Sequence, residues 1–200
     1  MTKTRTLLLI IFMVMAMMTF DFMCNNAHAQ CSIYGDKPVR KFQVLDSLKN
    51  RNCMSTYIDS SITLEQILTF KGNDVDCYTS DQFVPLVGYV VLVKYGGSET
   101  CNCHSTNPDD KDIHIELALD PNEKGAKAMV IEINRYTRKD HPELSLANLK
   151  KLIGKKVRSW GFMFLDDEHL QNAVTTNPNG TNLWRYTCWE LHPVMKIELL

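Results

Sequence analysis

The order in which strand-like and helix-like segments follow one another after residue 83 constrains this chain more than any other feature. Val84 to Tyr95 is almost continuously apolar and β-branched, with Gly88 inside it and Gly96-Gly97 closing it, which predicts a long, strongly bent first strand. Asp112 to Leu119 then alternates. Ile113, Ile115, Leu117 and Leu119 share one face and Asp112, His114 and Glu116 the other, as a half-buried strand requires. Met129 to Tyr136 reads as a third strand. A helix follows, with Ser145 as N-cap, Leu146, Leu149, Leu152 and Ile153 as its apolar stripe, and Gly154 in the left-handed position after its end. Lys156 to Leu165 reads as a fourth strand. A fifth runs from about Trp184 to Leu199, with Pro193 marking a bulge or an edge because it cannot donate to a ladder. Between them, Asp166 to Leu183 is a polar loop containing the turn signal Asn-Pro-Asn-Gly.

Three strands, a helix and two strands is the element order of the OB-fold, a five-stranded Greek-key barrel. The predicted fold class is therefore mainly β with helices, an OB-like barrel over residues 84–200. Residues 30–83 form a helical N-terminal extension. There Phe42, Val44, Leu45 and Leu48 have helical spacing, and Thr63 with Gln66 fits a capping box ahead of Ile67 and Leu68. The extension is expected to pack as a lid or side-piece on the barrel, turning at Gly72-Asn73-Asp74.

Residues 1–29 read as a cleavable signal peptide. Lys3 and Arg5 precede an apolar run from Leu7 to Phe20, and Ala27-His28-Ala29 supplies the small-x-small exit before Gln30. The run is shorter than the roughly 20 apolar residues that span a bilayer, so no transmembrane segment is expected in the mature chain. That places the protein in the periplasm or outside the cell. Of seven cysteines, Cys24 falls in the leader, while Cys31, Cys53, Cys77, Cys101, Cys103 and Cys188 remain where disulfides persist. Sequence does not choose their connectivity. The formal net charge of −1 gives no support to a nucleic-acid partner. Lys and Arg outnumber Glu132, Asp140 and Glu143 between Lys124 and Arg158, an imbalance that a solvated face explains.

The segments GYVVLVKYGGSETCNC at 88–103, DIHIEL at 112–117 and RYTCWELHPVMKIEL at 185–199 resemble a family of exported bacterial proteins of unassigned function. The resemblance spans most of the mature chain. It implies an OB-like barrel preceded by a helical segment and brings no activity with it.

Two constellations carry chemistry. The outward face of the second strand presents Asp112, His114 and Glu116 where OB-folds display ligand-contacting residues; Arg135, Trp184 and Arg185 add a guanidinium and aromatic component. Trp160 and Trp189 are expected to fill the core. This face predicts a non-enzymatic binding module for a polymer, an oligosaccharide, a nucleic acid or a protein loop. The alternative is a metal-dependent hydrolase or nuclease holding zinc through His114, His169 and His192, with Glu116 or Asp166 as ligand or general base. Cys101 and Cys103 are expected to pair with distant cysteines rather than bind a metal.

Overall fold

The computed structural model describes residues 31–200, so the leader lies outside the described residues. The strands are β1 (Phe83–Tyr95), β2 (Ile113–Ala118), β3 (Ala128–Ile133), β4 (Lys156–Leu165) and β5 (Trp189–Leu199). They close in the order β1-β2-β3-β5-β4, with β4 returning to β1. β3 and β5 run parallel and the other pairs antiparallel, giving an OB-like barrel.

β1 is the single long strand expected, and it does double duty. Phe83 to Tyr89 pair with β4 and Tyr89 to Tyr95 with β2, and the register slips between Val90 and Leu92. Gly88 sits at the changeover. A Cβ there would lie 2.4 Å from Leu64 Cδ2 and 2.9 Å from the Ala118 carbonyl oxygen, so only glycine lets the neighbouring segments approach.

Among the described residues, four short α-helices accompany the barrel: α1 (Arg40–Lys49), α2 (Leu64–Thr69), α3 (Arg135–Asp140) and α4 (Leu146–Lys150). The capping box at α2 forms as expected, with Gln66 N donating to Thr63 Oγ1 and Thr63 N donating to Gln66 Oε1. Leu64, Ile67 and Leu68 of α2 join the barrel core. β3 ends earlier than its apolar pattern suggested. Asn134 accepts from Thr137 N and caps α3, which makes Arg135 and Tyr136 helical rather than extended. Ser145 stands at the N-cap of α4 without a side-chain cap bond, and Gly154 takes φ +78°.

Inside the barrel Ile113, Ile115 and Leu117 meet Met129, Ile131 and Ile133, all fully buried. Each such side chain contributes about 1.5–3 kcal/mol of burial free energy. Trp189 is also core, whereas Trp160 is partly buried against a second cluster of Phe83, Phe162 and Met195. β5 begins at Trp189 rather than Trp184; Trp184 to Cys188 form an approach in which Arg185 bridges to Ala173 and Tyr186 N donates to the Ala128 carbonyl. The irregularity expected at Pro193 is a bulge, since β4 and β5 slip register around Gly161 opposite Val194.

The N-terminal extension is fastened by polar contacts. Asn50 Nδ2 donates to the carbonyls of Ile33 and Cys101, and Asn134 Nδ2 donates to those of Lys49 and Arg51. Cys31 and Cys103 form a disulfide. Cys53, Cys77 and Cys188 are free thiols; of the two cysteines expected to pair with distant partners, Cys103 does so and Cys101 is buried outside the disulfide. Among the described residues no helix is long and apolar enough to cross a membrane.

Candidate functional site

The alternation of β2, β3 and β5 fixes what stands on the outer wall of the barrel. His114 lies opposite Glu132 in the β2–β3 ladder, and Glu190 and His192 alternate with the core residues Trp189 and Leu191. Most of this wall is covered. α1 packs across β5 and against the Thr100–Asn102 turn, and Lys41 of α1 pairs with Asp167 at 2.7 Å. Every residue of β2 is buried, so the exposed polar face expected for Asp112, His114 and Glu116 is corrected. A strand pattern distinguishes two faces without revealing which segment covers each.

Under this cover lies a network of charges. His114 Nδ1 is 2.9 Å from Glu132 Oε1. His192 Nδ1 is 3.4 Å from Glu190 Oε2 and 3.6 Å from Glu132 Oε2, while its Nε2 is 3.2 Å from Asp112 Oδ2, off the line of a hydrogen bond. Arg185, with no exposed surface, donates to Asp166 Oδ2 at 2.6 Å and to Glu190 Oε1. Asp166 also holds His169 Nδ1 at 2.6 Å, and Lys49 pairs with Glu99 at 2.5 Å. Each buried charge thus meets an opposite one, which is what permits burial at all.

Proton affinities follow from this pairing. Burial alone would lower the His192 imidazole, but Asp112, Glu190 and Glu132 raise it to about 10. Burial pushes the Glu132 carboxyl up against the opposing hydrogen bond from His114. Burial would raise Asp166 too, yet His169, Arg185 and Lys49 hold it well below the usual carboxylate range. The hydrogen bond to Asp166 raises His169. Burial and the Asp112 charge raise the Cys101 thiol well above its ordinary value, which makes it a poor nucleophile.

Beside the network opens a cavity of about 660 Å³. Its wall includes Lys49, Lys94 to Glu99, His114, Glu132, Asp166, Glu168, His169, Trp184 and Glu190. The His169 and Trp184 rings meet edge to face at 5.1 Å, and the Arg185 guanidinium lies 4.6 Å from the indole centroid.

Of the ligand-contacting residues expected from sequence, the structure brings His114 and Trp184 to the cavity wall. The others are elsewhere. Asp112 and Arg185 belong to the network behind the wall, and Glu116 accepts from Gly125 N at 2.7 Å. Arg135 donates to the Tyr136 hydroxyl, and Arg138 to the carbonyls of Asp109 and Lys111. The expected zinc ligands do not form one set: among the described residues, the donors that converge within 4.8 Å are those of Asp112, Glu132 and His192. His114 is attached to that group through Glu132, and His169 is held by Asp166. Sequence reasoning passed over Glu132, Glu190, Lys49 and Glu99. The available signal was a single carboxylate interrupting the apolar runs at 129–133 and 189–194. No protein-family model and no curated protein matches the chain.

Proposed function

We propose that the chain is an exported binding domain, its leader cleaved after Ala29, whose cavity takes a neutral, polyhydroxylated ligand of sugar size. The Cys31–Cys103 disulfide supports an oxidising, non-cytoplasmic setting. The supporting observation for the ligand class is a wall most of whose charges are already paired. Lys49 answers Glu99, Arg185 spans Asp166 and Glu190, His169 also holds Asp166, and Glu132 shares a hydrogen bond with His114, while Lys94 and Glu168 add one charge of each sign. An ionic ligand would need to break one of these pairs. Hydroxyl groups can donate to the carboxylates and accept from the imidazoles and backbone amides without doing so. Trp184 supplies an apolar surface for a sugar's C–H face. The volume lies within the range of about 300–1,000 Å³ typical of small-molecule sites.

The reading is tested by titrating intrinsic tryptophan fluorescence and heat of binding against neutral mono- and disaccharides, with phosphorylated sugars and polyamines as charged comparators. A neutral sugar is expected to bind, and Trp184→Ala to weaken it about tenfold. Preference for a charged comparator, or binding indifferent to Trp184→Ala, would refute the assignment.

A further inference from the structure

We propose that Asp112, Glu132 and His192 constitute a site for one divalent transition-metal ion of the zinc class, set into the outer wall of the barrel behind the cavity. The three come from different strand positions: Asp112 immediately precedes β2, Glu132 lies on β3 and His192 on β5, so the closed barrel itself assembles them. Their donor atoms lie within 4.8 Å of one another. Two donors each about 2.0–2.1 Å from a tetrahedral zinc are separated by about 3.4 Å. His192 Nε2 and Asp112 Oδ2 already stand 3.2 Å apart.

A second observation concerns the imidazole itself. His192 has no exposed surface, yet its Nε2 makes no directed hydrogen bond among the described residues and is aimed at the Asp112 carboxylate within the cluster. A fully buried nitrogen left in that state carries a desolvation cost that a metal–nitrogen bond would offset. His114 Nδ1 meets Glu132 Oε1, the outer hydrogen bond that orients a metal-bound carboxylate, so His114 is a positioning residue here. The donor chemistry of one imidazole and two carboxylates suits zinc, cobalt or manganese better than thiolate-seeking copper(I). Glu132 and Glu190 also line the cavity, which gives an ion a route to the site.

The inference does not rest on the cavity taking a sugar. Sugar titrations read Trp184, whereas the metal is read directly, so the two proposals fail separately.

The experiment is elemental analysis and zinc and cobalt titration of the disulfide-intact protein, purified untagged and without chelators, with X-ray absorption at the zinc edge. One ion per chain is expected, with one imidazole among otherwise oxygen neighbours. Glu132→Gln and Asp112→Asn should each weaken zinc about a hundredfold, and His114→Gln about tenfold. His141→Ala, at an exposed site paired with Glu143, should leave zinc affinity unchanged. No binding tighter than about millimolar overturns the proposal, as does a zinc affinity that neither carboxylate variant changes. Should those variants fail to fold, the absorption spectrum of the unaltered protein decides, since sulfur neighbours or two or more imidazoles would exclude this set.

Discussion

Arg185 shows at the scale of one residue how a charge becomes tolerable in a folded interior. It has no exposed surface and is held between Asp166 and Glu190, with Trp184 against its guanidinium. Burial alone would lower its proton affinity, and the two carboxylates instead raise it. The neighbouring Asp166–His169 pair gives a pH signature of the same logic. Asp166 is depressed in the folded state, so its contribution is complete above the unfolded carboxylate value of about 3.9 and is lost as pH falls. His169 is raised, so its contribution is complete below about pH 6.5 and is lost as pH rises through the folded value. Both are therefore fully present between roughly pH 4 and 6.5. Denaturant unfolding of the protein and His169→Gln should show a stability gap that is constant through that window and narrows above it. A gap that widens from pH 6 to 9 would mean that Asp166 does not hold His169 charged.

At the scale of elements, the short helices rely on their ends and on the barrel rather than on length. α2 has six residues, too few to persist alone, and is kept by its capping box and by Leu64, Ile67 and Leu68 in the core. Thr63→Ala removes the acceptor for Gln66 N from an exposed site, leaving packing intact. A loss of about 1 kcal/mol is expected by urea denaturation, and Thr63→Ser should restore most of it. This cap was legible because Thr63 and Gln66 stand three residues apart before an apolar pair. The boundary between β3 and α3 was not. Met129 to Tyr136 looks extended throughout, and only the Asn134 side chain turning to Thr137 N, while its amide holds the carbonyls of Lys49 and Arg51, stops the strand.

Across the whole molecule, the extension and the barrel are one structural unit from Ser32 onward, and the polar wall exists because α1 and the 96–104 segment cover it. The Cys31–Cys103 disulfide closes a long loop that includes α1, α2 and β1. Cys103→Ser should cost about 2–4 kcal/mol in the oxidised protein and should make its stability insensitive to mild reductant. Equal stability before and after reduction of the unaltered protein would show that the bridge constrains nothing. The amino-acid sequence by itself determined the order of strands and helices along the chain, the long β1, the β4 limits, the α2 cap and the alternation of β2, because these are local patterns of apolar spacing, glycine and capping side chains. Only the tertiary structure decided that the polar side of β2 is buried, that Glu132, Glu190 and Asp112 gather around His192, and that Lys49 and Trp184 face one cavity. Those groupings depend on barrel closure and on which segment lies over which face, and residues brought together from 49, 112, 132, 166 and 190 share no local pattern that spacing could reveal.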